Sequence, residues 1–185
     1  MRKAINKNWT LFLDRDGVIN RRKIDGYITM WSDFEFLPGS LKAIVYFSKI
    51  FDRLIIVTNQ QGIGKGLFTT SDLAHIHSQM LNLIEKAGGR IDKVYYCPDL
   101  AKDKNNCRKP KPTMAYQAQK DFPEIVFQKS IIVGDSISDM QFGIQLNMKT
   151  VLIETKKEEL LQSRRMNIDL RFKSLIDFAN FLADD

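Results

Sequence analysis

Short apolar runs divide this chain, and each stops at polar or acidic residues. Residues 9–13 end at Asp14-Arg15-Asp16-Gly17, and residues 54–57 end at Thr58-Asn59-Gln60. Residues 91–97 lead into a polar loop at 98–106, and residues 131–133 end at Gly134-Asp135-Ser136. A fifth run covers 150–153. Apolar runs of this length without alternation read as strands buried on both faces, the usual state in a parallel sheet. Between them the period becomes helical. Ser40 is the expected cap of a helix carrying Leu41, Ile44, Val45 and Ser48 on one face. Residues 69–72 open a second helix, with Leu73, Ile76, Met80, Leu83, Ile84 and Ala87 on its apolar side and Gly88-Gly89 at its end. Pro110 and Pro112 frame the start of a third, and residues 138–146 form a fourth. Residues 21–36 are polar and aromatic without helical period and read as a flap or hairpin. Residues 154–185 alternate a helix, a short apolar stretch at 168–170 and an amphipathic C-terminal helix. With strand, helix and strand in succession, right-handed parallel crossovers follow. The pattern predicts one α/β domain over residues 1–185, with no repeat and no linker.

Composition narrows the class. The chain has 185 residues, enough for one well-buried domain, with apolar and charged fractions of 44% and 27%, those of a soluble globular protein. A formal charge of +6 favours anionic partners, whether nucleic acid, an acidic surface or phosphorylated small molecules. No basic tract of nucleic-acid type appears. The basic N-terminal residues 1–8 run directly into the first strand, with no signal-type apolar segment and no run of membrane-spanning length, so a cytoplasmic location and no membrane partner are expected. The two cysteines, Cys97 and Cys107, make no disulfide framework and read as ordinary thiols. His75 and His77 lie two apart on a helix and point in different directions, which argues against a joint metal site.

The candidate chemistry lies at the strand ends, where open α/β sheets bind ligands. Asp14 and Asp16 can aim at a common point, and their repulsion calls for a cation or a shared proton. By themselves they are either a metal and acid/base pair or a polar turn. Asp135 and Asp139 follow another apolar run, and Lys109 stands in a basic cluster. A carboxylate attacking a phosphate dianion needs compensating positive charge. Asp14 and Asp135 suit magnesium, which takes oxygen ligands, while Lys109 and Thr58 could offset and hold phosphate oxygens. The glycine-rich residues 61–68 complete neither a Walker loop nor a dinucleotide fingerprint.

Taken together these segments resemble the haloacid dehalogenase superfamily of phosphatases. The residues that carry the likeness are Asp14-Arg15-Asp16-Gly17-Val18-Ile19-Asn20, Thr58 after its strand, Lys109, and Gly134-Asp135-Ser136-Ile137-Ser138-Asp139, across residues 9–153. Within it the chain is similar to a subgroup of heptose bisphosphate and histidinol-phosphate phosphatases, through Thr58-Asn59-Gln60-Gln61-Gly62-Ile63-Gly64 and Cys107-Arg108-Lys109-Pro110-Lys111-Pro112. The resemblance implies a three-layer Rossmann-like sheet without a large cap domain. It implies Asp14 as nucleophile, Asp16 as acid and base, and Thr58 and Lys109 as phosphate-stabilising groups. Mg2+ would be held by Asp14, Asp135 and the carbonyl of Asp16, with Asp139 in support. Substrate contacts are implied for Asp25, Gly26, Tyr27, Asn59, Gln60, Gln61, Arg108 and Ser136.

The subgroup usually carries a structural zinc held by a Cys-x-His and a Cys-x-Cys pair. Here the matching positions are Cys97, Asp99, Asn105 and Cys107, so no bound zinc is expected, because a structural site wants four nitrogen or thiolate ligands. The expected partner is a sugar bisphosphate, with Arg108 reading its second phosphate. Histidinol phosphate is the runner-up, placed second because an amino-alcohol would bring its own positive charge toward Arg108. A nucleic-acid 3′-phosphatase is supported only by the basic charge, and a silent binding protein would have no need of Asp16 and Lys109 together. A monomer is expected.

Overall fold

A computed structural model of the chain describes residues 5, 7–155 and 162–184. Its elements in chain order are β1 (Thr10–Leu13), α1 (Ser40–Ile50), β2 (Arg53–Asn59), α2 (Thr70–Lys86), β3 (Lys93–Cys97), α3 (Thr113–Asp121), β4 (Ser130–Gly134), α4 (Ile137–Gln145), β5 (Lys149–Ile153), β6 (Leu170–Phe172) and α5 (Leu175–Ala183). The strands form one sheet in the order β3-β2-β1-β4-β5-β6. Every neighbouring pair is parallel.

The period of two along each strand builds the two apolar layers. Leu11 and Leu13 of β1, Leu54 and Ile56 of β2, and Ile131 and Val133 of β4 pack with α1, α2 and α5. Phe12, Ile55, Val57 and Ile132 face the other way, into Met114, Ala115 and Ala118 of α3 and Phe142 of α4. Removing each of these larger side chains from water contributes about 1.5–3 kcal/mol. The middles of the central strands are therefore unbroken apolar runs because both of their faces are covered. That is the three-layer arrangement expected.

Topology fixes where a ligand can go. The chain runs outward from β1 to β2 and β3, then returns to the opposite side of β1 with β4. The crevice beyond the carboxyl ends of β1 and β4 is thus the point where strand order reverses, the ligand position in open α/β sheets. Among the described residues, only the flap and two loops rise around it. The flap contains a short 3-10 turn at Trp31–Asp33. Among the described residues no large cap covers the crevice.

Several local expectations change. Gly39, with φ of 78°, caps α1, and Ser40 is its first helical residue. The buried face of α1 is Ser40, Ala43, Ile44 and Phe47, because the helix also packs on Phe178 of α5. In α2 the inward face is Leu73, Ile76, His77, Met80 and Ile84, while Leu83 is exposed. The apolar stretch near residue 168 becomes β6, the outermost strand. The helix expected after residue 154 falls largely on residues 156–161, outside the described residues, as do most of the basic N-terminal residues.

Candidate active site

The main-chain N–H of Asp14 donates to the Val133 carbonyl at 2.9 Å, so the ladder between β1 and β4 continues one residue beyond the strand. This sets the Asp14 and Asp135 carboxylates on either side of the crevice, both buried. Gly17 turns the chain away at φ of 94°, and a Cβ there would overlap the Asp135 carboxylate. The glycine in the first motif is therefore required twice, by backbone conformation and by close approach.

Lys109 ties the floor together. Its ammonium donates to Asp14 Oδ1 at 2.9 Å and to the Val57 carbonyl at 2.6 Å, and it pairs with Asp139 Oδ1 at 2.6 Å. Asn59 fixes the Lys109 backbone, accepting from its N–H at 3.0 Å and donating to its carbonyl at 3.3 Å. Asp139 is held from the other side by the N-terminus of α4. Its Oδ2 accepts from Ser136 N–H at 3.1 Å and from Ser136 Oγ at 2.6 Å in a capping box. Burial, with Asp139 and Asp135 close by, pushes the Asp14 carboxyl up to about 7 even though Lys109 acts to lower it. Lys109 stays charged despite its own burial, because two carboxylates face it.

Asp16 has the opposite environment. Burial would raise its carboxyl, yet the Arg15 guanidinium and hydrogen bonds from Asn20 and Gln60 hold it below the usual range. Arg15 donates to both Asp16 oxygens at 2.9 Å, Asn20 Nδ2 to Oδ1 at 2.9 Å and Gln60 Nε2 to Oδ2 at 2.8 Å. Arg15 is fully buried, and its Nη1 lies 3.1 Å from His77 Nε2. Since arginine can only donate, that imidazole nitrogen accepts. Burial and the adjacent guanidinium push His77 down to about 3, so it is neutral. His77 thus holds the arginine that holds Asp16, a role sequence reading missed. Its spacing from Leu73, Met80 and Ile84 on α2 carried the signal.

The floor residues suit a hard divalent cation. Asp14, Asp135 and Asp139 bring carboxylate oxygens within 4.8 Å of one another. Asp139 is engaged by Lys109 and Ser136, which leaves Asp14, Asp135 and the Asp16 carbonyl as the donor set, all oxygen. One positive group already spans two of these. Arg22 Nη2 donates to Asp135 Oδ1 at 2.8 Å and to the Asp16 carbonyl at 3.1 Å. The other Asp135 oxygen accepts from Thr155 Oγ1 at 3.0 Å.

Around this floor is a cavity of 570 Å³. All the residues expected to meet substrate line it, namely Asp25, Gly26 and Tyr27 of the flap, Asn59, Gln60 and Gln61 after β2, Arg108 and Ser136. Besides Asn59, which holds the Lys109 backbone, Gln60 and Ser136 have engaged side chains. The Gln60 amide donates to Asp16 and to Thr58 Oγ1 at 2.9 Å, and the Ser136 hydroxyl serves the α4 cap. Arg22, Lys23 and Lys65 also line the cavity and were not singled out in the sequence. Lys65 lies 5.3 Å from the Tyr27 ring.

The loop beneath Arg108 requires a correction. Cys97 and Cys107 are not separate thiols but are joined as a disulfide, with Cα atoms 5.5 Å apart. Asp99 Oδ2 accepts from Cys107 N–H at 2.9 Å, which shapes the loop, and the Asp99 carbonyl takes Arg108 Nη1 at 3.4 Å. Cys97, Asp99 and Cys107 offer a set of three donors, and zinc binds thiolate rather than disulfide sulfur. This donor set does not fit a four-ligand structural zinc.

Comparison with known proteins agrees with this geometry. Residues 106–177 match the HAD-hydrolase-like family. The D-glycero-alpha-D-manno-heptose-1,7-bisphosphate 7-phosphatase of Campylobacter jejuni is 37% identical over 180 residues, covering 96% of this chain and 98% of that protein. A D-glycero-beta-D-manno-heptose-1,7-bisphosphate 7-phosphatase of Neisseria meningitidis is 31% identical over 179 residues, covering 95% of each. The crystal structure of D,D-heptose 1,7-bisphosphate phosphatase from B. bronchiseptica, complexed with magnesium and phosphate, superposes with a TM-score of 0.87 at 30% identity, covering 95% of this chain and 98% of that one. With such coverage and the strand-end carboxylates in place, the chain is a phosphatase of the haloacid dehalogenase superfamily and belongs to the family of the heptose bisphosphate phosphatases.

Proposed function

We propose that this protein is a Mg2+-dependent heptose 1,7-bisphosphate 7-phosphatase working through a phospho-aspartyl intermediate on Asp14, with the whole chain acting as one catalytic domain. The observation that carries the reading is the contrast between two neighbouring carboxylates. Asp14 is paired with a buried lysine, while Asp16 is tethered to Arg15 with its oxygens turned toward separate donors. Separate partners let the two acids take different roles, with the Lys109 charge beside the oxygen that attacks.

In this scheme an Asp14 oxygen attacks phosphorus, and the bond from phosphorus to the sugar oxygen breaks. Asp16, protonated for this step, gives its proton to the departing alkoxide. It then takes a proton from the water that attacks the phosphorylated Asp14, which releases inorganic phosphate, restores the Asp14 carboxylate and leaves Asp16 protonated as it began. Lys109 neutralises phosphate charge and orients Asp14, and Thr58 donates its hydroxyl to a phosphate oxygen. Arg15 and Gln60 hold the Asp16 carboxylate while it is ionised between the two steps. A magnesium ion held by Asp14, Asp135 and the Asp16 carbonyl would supply charge neutralisation for the transferring group and keep Asp14 ionised. At the rim, Arg108 is assigned the second phosphate, and Tyr27 with Gly26 the sugar.

The test is a comparison of kcat/KM, with Mg2+, for both anomers of the heptose 1,7-bisphosphate, for histidinol phosphate and for a 3′-phosphorylated oligonucleotide. A bisphosphate is expected to lead by about 10²-fold or more, since a site built around a charged partner discriminates strongly against substrates lacking it. Faster turnover of histidinol phosphate or of the oligonucleotide would overturn the substrate assignment.

A further inference from the structure

The two acceptors bridged by Arg22 are the Asp16 carbonyl and Asp135 Oδ1, which are also two of the oxygens assigned to the metal. Asp135 is almost fully buried, whereas the Arg22 side chain is 41% exposed and reaches it from the solvent side. Arg22 belongs to the flap, whose base is pinned one residue earlier. There Arg21 N–H donates to the Glu35 carbonyl at 2.7 Å, and the Arg21 guanidinium pairs with the Glu35 carboxylate at 2.8 Å. Two residues further on, Lys23 pairs with Asp33 at 3.1 Å. The flap is thus a braced segment that delivers one guanidinium into the crevice.

We propose that Arg22 and a divalent cation compete for the Asp16 carbonyl and Asp135 Oδ1, so that metal loading requires Arg22 to leave and links the metal site to the flap. The proposal rests on the magnesium reading above. A guanidinium and a divalent cation drawn to the same carboxylate oxygen repel one another, and the second Asp135 oxygen is already engaged by Thr155. Arg22 therefore acts as an exchangeable counter-ion. It offsets the charge of Asp135 until a metal replaces it, and its departure frees a cation at the wall of the substrate cavity. Lys65 lines the same cavity, but its charge lies over the Tyr27 ring rather than on a metal oxygen. It is the natural control for charge alone.

The experiment is calorimetric titration of Mg2+ into the chelator-treated full chain, comparing the unaltered protein with Arg22→Met and Lys65→Met. Removing a competitor that makes charge-assisted hydrogen bonds should tighten Mg2+ binding about tenfold in Arg22→Met. Lys65→Met should stay within about twofold, because an exposed charge acting at a distance is screened. By linkage, a fixed Mg2+ concentration should raise the Tm of Arg22→Met more than that of the unaltered protein. Should Arg22→Met fail to fold, Arg22→Gln gives the same comparison with a polar side chain. Equal affinity in the unaltered and Arg22-substituted proteins would overturn the competition. So would equal tightening by Lys65→Met, which would reduce the effect to the general field. If neither protein binds Mg2+, the magnesium reading itself fails and takes this proposal with it.

Discussion

The floor and the rim of the cavity are built differently. On the floor, Asp14, Thr58, Lys109, Asp135 and Asp139 are all nearly inaccessible, and the Lys109 ammonium alone meets three oxygens. On the rim, the Arg21–Glu35 pair is more than half exposed on both sides, and Ile24 is 88% exposed. Exposed pairs of that kind contribute about 0–1 kcal/mol, whereas breaking a buried pair costs several times more. The floor therefore holds reacting groups in one geometry, and the rim can change without disturbing it. Chemistry is set at strand ends and recognition on loops.

The sharpest way to break this comparison is Asp14→Asn. It removes the attacking oxygen's charge, and kcat should fall by about 10⁴-fold or more while the protein remains folded by circular dichroism. Residual Mg2+-dependent turnover near the original rate would refute the covalent scheme. Lys109→Met tests the floor as structure. It leaves the buried Asp14 and Asp139 without their common cation and should cost about 3–5 kcal/mol of stability, read from the urea midpoint. Arg108→Ala tests the rim. It should lower kcat/KM for a bisphosphate by about 10²-fold while a monophosphate changes by less than about threefold and stability does not move.

A smaller effect tests the layer beneath Asp16. His77 stays neutral down to about 3 when folded but takes a proton near its ordinary value of 6.5 when unfolded. Below 6.5 the unfolded chain binds the extra proton, so this contribution to stability is complete at neutral pH and is lost as pH falls. Between about pH 7.5 and about pH 5 the unaltered protein should lose about 2 kcal/mol more than His77→Gln, measured by denaturant unfolding. Parallel pH profiles for the two proteins would show that His77 is not held neutral.

What could be read before folding follows a clear division. β1, β2 and β4 are legible because strands covered on both faces carry unbroken apolar runs, at residues 11–13, 54–57 and 131–133. The carboxylates that terminate β1 and β4 announce the crevice for the same reason. The faces of α1 and α2 were less legible. Phe47 is drawn in by Phe178, 131 residues further along, and His77 by Arg15, partners that no local period reveals. Cys97 and Cys107 looked like two separate thiols because a sequence separation of 10 says nothing about where the chain returns.

The sequence by itself determined the order of the strands along the chain, the acids at their ends and the family to which the chain belongs. Those features depend on local burial and on motifs whose spacing is short. Only the tertiary structure decided which side chains meet across the crevice. Asp14 and Asp16 stand one residue apart, yet one faces Lys109 and the other Arg15, because β1 ends just before them at Leu13 and Gly17 turns the chain. Arg22 reaches Asp135 across 113 residues for the same reason, since the sheet brings β1 and β4 side by side. Charges that are indistinguishable in a list of residues acquire separate roles once burial makes each partner count.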